Sequence, residues 1–246
     1  MTDYKTYQMA PAEKLCFICS LAGGLSVCSY LFYGNLLLAL LLPLIYKEVK
    51  RFYCDYRAER RRNQLLLQFR DFLYSLSGSF AAGRHMGEAL EEARRSLADI
   101  YTGSLMETEI AAMYCGIQET GQSDLEAMED FAVRSGLDDV EAFAEVFGAC
   151  RKTGGDMVAA AGKAAAVIGE KIGVEQEIRT MVSQKKLEGR IIMAMPVLVI
   201  LFLQAASPDY LWVMYNTLAG RLLMTGALAA VIGAGIMIER ITRIEI

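Results

Sequence analysis

Proline is scarce in this chain. Of 246 residues only Pro11, Pro43, Pro196 and Pro208 are proline, and none falls between 44 and 195. Sheet proteins of that size place proline in loops and edge strands. A proline-free stretch rich in Ala, Leu, Glu and Met therefore points to helix, and no convincing alternating strand pattern interrupts it. Histidine occurs once, at His85, between Arg84 and Met86 and without a triad partner. Cysteine is spread over Cys16, Cys19, Cys28, Cys54, Cys115 and Cys150, with no two pairs spaced to complete a metal site. The C-x-x-C of Cys16 and Cys19 stands alone on an apolar stretch, where small apolar packing is the plain reading and a dithiol the sharper one. Collagen-like, disordered and disulfide-scaffold classes are excluded by composition.

Hydrophobic residues are abundant. They make up 54% of the chain against 22% charged, with a mean hydropathy of +0.29, a balance that suits a protein partly in a bilayer and partly in water. Three runs carry no charge: Leu15 to Tyr46, Ile191 to Pro208, and Leu222 to Ile238. A helical span needs about 20 apolar residues. The second and third runs fit one span each. The first is longer, and Gly34-Asn35 is a turn signal in its middle. It reads as a hairpin, Leu15–Phe32 and Asn35–Tyr46, with the second arm running on into the charged segment, or as one tilted span. It starts too late and runs too long for a cleaved signal peptide.

Basic residues flank these runs. Lys47, Lys50, Arg51, Arg57, Arg60, Arg61 and Arg62 follow the first, Arg179, Lys185, Lys186 and Arg190 precede the second, and Arg240 and Arg243 follow the third. By the positive-inside tendency the centre and the C-terminus face the cytoplasm. The expected domains are 1–46, an N-terminal membrane hairpin or single span; 47–190, a cytoplasmic helical bundle; and 191–246, two C-terminal transmembrane helices with a short tail.

Within the middle, Leu65, Phe69, Phe72, Leu73, Leu76 and Phe80 recur at helical spacing. Glycine breaks at Gly83, Gly103, Gly121, Gly136 and Gly154-Gly155 divide it into six expected helices, about 50–82, 86–101, 104–119, 123–135, 138–152 and 156–190, with Asp124, Asp138 and Asp156 at N-cap positions. Gly83, Gly121, Gly154 and Gly155 are read as structural turns. Gly83 and Gly121 are each followed five residues later by an acid-rich helix start, Glu88-Ala89-Leu90-Glu91-Glu92 and Glu126-Ala127-Met128-Glu129-Asp130. That echo suggests stacked helical hairpins, and coincidence among common helix formers is the bland alternative.

Charge is segregated. Residues 88–145 hold fifteen acids against Arg94, Arg95 and Arg134, a net of −12. A solvated face is the plain reading. A docking surface for a basic partner is the sharper one, with Glu126, Glu129, Asp130, Asp138, Asp139 and Glu141 as candidates. Catalytic, cofactor and metal candidates are not found. Thr153-Gly154-Gly155-Asp156 with Gly162-Lys163 falls short of a phosphate loop, because Met157 stands where its first glycine belongs and Ala164 where Ser or Thr belongs. Asp138-Asp139 lacks the alternating oxygen ligands of a calcium loop. Gln204 is read as a partner for another helix, and Gly23-Gly24, Gly226, Gly233 and Gly235 as points of close helix approach.

The stretch Leu65–Leu76, then Ala82-Gly83 with Glu88-Ala89-Leu90, Gly121 with Leu125-Glu126-Ala127-Met128, and Ala149-Cys150-Arg151-Lys152-Thr153-Gly154-Gly155-Asp156 resembles the type II secretion system F family. Glu188-Gly189-Arg190, Pro196, Ser207-Pro208-Asp209-Tyr210-Leu211, Gly220-Arg221-Leu222-Leu223 and Ile238–Ile246 resemble its TadB branch, the tight-adherence (Flp) pilus assembly proteins. Asp156 departs from the Asn that is commoner there. The resemblance implies an all-α integral protein of the bacterial inner membrane, with a cytoplasmic six-helix bundle between N-terminal and C-terminal transmembrane helices. It implies a non-enzymatic platform without cofactor or nucleic acid. Its partners would be a cytoplasmic secretion ATPase, pilin subunits, membrane lipid, and a second F-family protein or another copy of itself. The competing readings are a membrane receptor or signalling module and, less in keeping with the missing chemistry, an integral membrane enzyme.

Overall fold

The computed structural model describes residues 4, 11–33, 42–101, 103–207, 212 and 214–242. The described residues form helices and no strand. These are α1 (Pro11–Tyr33), α2 (Leu42–Ala81), α3 (Met86–Ile100), α4 (Leu105–Glu119), α5 (Asp124–Ser135), α6 (Asp138–Thr153), α7 (Met157–Ala206) and α8 (Leu218–Thr242). The chain divides into two compact units. One comprises Met1–Gln8 with Phe52–Val174, the other Met9–Arg51 with Glu175–Ile246.

In the first unit a single core joins α2 to the start of α7. The apolar positions of α2, Leu65, Phe69, Phe72, Leu73 and Leu76, are fully buried, as the three-and-four spacing requires of one helix face. Phe69 is the hub. Its ring meets Phe72 at 6.0 Å, Phe131 of α5 at 5.9 Å and Phe143 of α6 at 5.8 Å. α2 also touches α3 through Ser79 and Glu92, α4 through the Gln68 side chain accepting from the Met106 amide, and α7 through the Ser77 hydroxyl donating to the Val158 carbonyl. α3 packs on α4, α5 on α6, and α4 on α5. The buried faces of α3 (Ala89, Leu90, Ala93, Leu97) and α6 (Val140, Phe143, Ala144, Phe147) repeat the same period.

The helix ends are chemically marked. After α2, Gly83 takes φ +76°; its amide donates to the Phe80 carbonyl and that of Arg84 to the Ser79 carbonyl, a Schellman closure that needs a left-handed residue. After α6, Gly154 is left-handed (φ +71°) and the Gly155 amide closes back on the Cys150 carbonyl at 2.9 Å. Gly121 also has positive φ, whereas Gly155 does not. Its constraint is proximity, because a Cβ there would lie 3.3 Å from Cys150 Cα.

Several sequence expectations are corrected. Asp124 is not the N-cap of α5; Ser123 is, in a full capping box with Glu126. Asp138 is the first residue of α6, not its cap, and the capping position holds Leu137. Asp156 does cap α7, accepting from the Ala159 amide at 3.0 Å. The helix expected over 50–82 begins earlier, at Leu42, and the one expected over 156–190 continues to Ala206. The second arm does run on through Tyr46 into the charged segment, as expected, and residue 190 is not a helix end, because the charged flanks contain no breaker. Even Pro196 is carried inside α7. The first uncharged run holds α1 as one helix, and its Gly34-Asn35 turn lies outside the described residues.

In the second unit α1 packs on α8, and the Phe17 and Tyr46 rings approach to 6.2 Å. α7 and α8 run antiparallel. Gly189 faces Ile238, Gly235 faces Met193, and Ile200 packs with Met224. Small residues where backbones approach are the usual basis of helix pairing in lipid. α7 and Leu218–Ile238 of α8 are long and apolar enough to cross a membrane.

Candidate functional site: a tyrosine socket and an acidic surface

The most polar enclosed assembly in the first unit is one that sequence reading missed. Tyr4 is 2% exposed and Glu109 of α4 is also 2% exposed. The Tyr4 hydroxyl donates to Glu109 Oε1 at 2.8 Å. Glu109 Oε2 accepts from Arg134 Nη1 of α5 at 2.6 Å, and Arg134 Nε donates to Asp130 Oδ2 at 2.8 Å. The Tyr4 amide donates to the Arg134 carbonyl at 3.2 Å. The Arg61 guanidinium of α2 stands over the Tyr4 ring, 4.9 Å from its centroid, within cation–π range. Three helices thus supply an assembly with two anions and two cations.

The electrostatics follow from burial. Burial first, then the hydrogen bond to Glu109, push the Tyr4 phenol well above its ordinary 10.0, so it remains a donor. Desolvation works against the Arg134 charge, and the bonds to Glu109 and Asp130 more than offset it, leaving its pKa raised. Such a pair is costly to break, because one partner alone would be a buried, uncompensated charge.

The six candidate docking acids do not form one cluster. Glu126 belongs to the α5 capping box, and the Ser123 amide holds its carboxyl below the usual 4.5. Asp130 pairs with Arg134, and Asp139 accepts from Lys171 Nζ of α7 at 2.8 Å. Glu129, Asp138 and Glu141 are exposed. Glu126 opens α5 while Asp138, Asp139 and Glu141 open α6, so roughly 14 Å of helix rise separates the two groups.

The other chemical candidates lie apart from the Tyr4 assembly in sequence and element. His85 is the exposed N-cap position of α3. Thr153 to Asp156 is the α6–α7 junction, and Lys163 is exposed. Cys16 and Cys19 are exposed on α1, and Gln204 is half-buried on α7. Among the described residues no group of His, Cys, Asp and Glu is arranged to hold a metal ion. A second buffered tyrosine lies near α2: Tyr101 donates to Asp71 Oδ2 at 2.6 Å, and burial with that bond pushes its phenol up to about 12.

Comparison with protein families, with curated proteins and with solved structures returned no match for this chain.

Proposed function

We propose that this chain is a platform protein of the bacterial inner membrane, anchored by α7 and α8, with the first unit as a cytoplasmic six-helix bundle. In this reading residues 47–190 face the cytoplasm and the short segment near 207–221 faces outward. The observation that carries the membrane part is the surface of α7 and α8. Ile191, Ile192, Met195, Leu198, Val199, Leu201 and Phe202 are exposed on α7, and Leu222, Leu223, Ile232, Ile236 and Met237 on α8. Apolar surface of that extent belongs in lipid rather than water. Lys185, Lys186 and Arg190 at the head of the span supply the positive-inside bias.

The machine is proposed from the sequence resemblance to the F family and its TadB branch. The protein would couple a cytoplasmic secretion ATPase to pilin assembly and pair with a second F-family protein or with itself. Platform function asks for rigid docking surfaces rather than a reactive centre, and the left-handed glycine closures with the Phe69 hub suit that demand. The test is purification of tagged full-length chain from cross-linked native membranes. Co-purification of a secretion ATPase and a small pilin is expected. Recovery with a sensor kinase or response partner instead would favour the receptor reading.

A further inference from the structure

In the second unit a basic and an apolar part of α7 share one helix face. Steps of four, four, three and four residues place Lys186, Arg190, Ala194, Val197 and Leu201 in a single stripe. Lys186, Arg190, Ala194 and Leu201 are exposed, and Val197 is half-buried where it packs on the Ile200–Met224 cluster. Next to Arg190, Gly189 is buried and faces Ile238 of α8, so the stripe borders the α7–α8 seam.

The two cations are not spent inside the protein. Lys185 pairs with Glu188 at 2.9 Å, whereas neither Lys186 nor Arg190 meets a carboxylate among the described residues. Side chains four apart on a helix start roughly 6 Å from one another, and one phosphodiester can bridge that gap with charge-assisted hydrogen bonds. From Arg190 to Leu201 the helix rises roughly 16 Å, half of a typical hydrocarbon core. A soluble anion would use the cations and leave the apolar stripe idle. A zwitterionic lipid would use the stripe but bring its own cation against Lys186 and Arg190.

We propose that this stripe is a binding site for an anionic phospholipid, with the phosphodiester held between Lys186 and Arg190 and an acyl chain lying along Ala194, Val197 and Leu201. This rests on the membrane reading of α7 and α8 proposed above, and narrows it to one lipid class on one helix face.

The test reconstitutes the full-length chain in phosphatidylcholine bilayers carrying a trace of spin-labelled phosphatidylglycerol or spin-labelled phosphatidylcholine. Electron paramagnetic resonance reads the fraction of each label slowed at the protein surface. Phosphatidylglycerol should be preferred by about fivefold or more, since each cation at a lipid surface contributes about that factor. Lys186→Gln and Arg190→Gln should each cut the preference several-fold, and the double variant should bring it close to one. Lys185→Gln removes the same charge one residue away on a different face and should leave most of it. Slowing of phosphatidylcholine by each variant shows that the chain is still embedded. Equal slowing of both lipids by the unaltered chain would overturn the site and leave the membrane reading standing, whereas slowing of neither would overturn both. A loss in Lys185→Gln equal to that in Lys186→Gln would replace the site with a diffuse positive surface. Loss of the preference in millimolar potassium phosphate, but not in potassium chloride of equal ionic strength, would make free phosphate the ligand and defeat the lipid assignment.

Discussion

The Tyr4 hydroxyl donates a 2.8 Å hydrogen bond to Glu109, a residue 105 positions away in sequence. The carboxylate it meets is already committed to Arg134, which is 14% exposed. The phenol therefore completes an ion pair whose carboxylate is buried and whose guanidinium is half-buried.

This arrangement predicts non-additive energetics. Glu109→Ala leaves the part-buried Arg134 with Asp130 alone and the Tyr4 hydroxyl without its acceptor, and should cost about 1–3 kcal/mol. Tyr4→Phe should cost about 1 kcal/mol, as for a lost hydrogen bond. Thermal unfolding of purified full-length variants checks both. Additivity of Glu109→Ala and Arg134→Ala to within about 0.5 kcal/mol would show that the pair is not coupled.

Two glycines, one inside α2 and one just beyond its end, should respond in opposite directions. Gly83 has φ +76° and open space around it, so Gly83→Ala or Gly83→Val meets strain rather than collision and should cost about 1 kcal/mol or more. Gly78 is helical, exposed and equally open, so Gly78→Ala should stabilise by about 0.5–1 kcal/mol. Equal shifts in melting temperature would refute the structural assignment of Gly83.

Acid should weaken the first unit. Glu91, held by Arg94, Glu92, held by the Ser79 hydroxyl, and Glu126, held by the Ser123 amide, all titrate below their ordinary 4.5. Depressed carboxyls contribute stability that is fully present above that value and lost as pH falls through the folded pKa. Denaturant midpoints measured downward from pH 6 should begin to fall near 4.5, and Glu92→Gln should flatten the fall. A midpoint unchanged from pH 6 to pH 3 would contradict this.

Alkali should act through the buried phenols. Tyr101 is shifted upward from 10.0 to about 12. A raised group stabilises fully below its unfolded value, so stability should decline across roughly pH 10–12. Tyrosinate absorbance should show late-titrating phenols in folded protein, with one fewer in Tyr101→Phe. Simultaneous titration of every tyrosine near pH 10 would count against both buried phenols.

The acidic surface separates docking from folding. Reversing exposed Glu129, Asp138 and Glu141 to Lys should leave the melting temperature nearly unchanged. It should slow association with the proposed ATPase at low salt and do so less at high salt, as screened surface charges do. Reversing Glu126, Asp130 and Asp139 should destabilise the fold, because each already serves Ser123, Arg134 or Lys171. Association indifferent to the first triple reversal and to ionic strength would leave those acids as solvated surface.

What the sequence by itself determined was local. The boundaries of α3 to α6 were legible to within a residue or two, because positive-φ glycines and helical periodicity are short-range signals. The near miss at Asp124 was of the same kind: Ser123 and Asp124 are both good caps, and only the reciprocal bond with Glu126 separates them. The two C-terminal apolar runs were legible because hydropathy needs no partner. Tertiary structure decided the rest. Glu109 reads as one acid among fifteen between 88 and 145, and its burial depends on Arg134 and on a tyrosine from the far end of the chain. That Phe69 joins α2, α5 and α6, that α7 runs unbroken from the first unit's core into the apolar run, and that three of six candidate acids are spent internally are likewise long-range facts. Periodicity shows which face of a helix is buried, but its partners are chosen by packing, where shape and charge must be satisfied together.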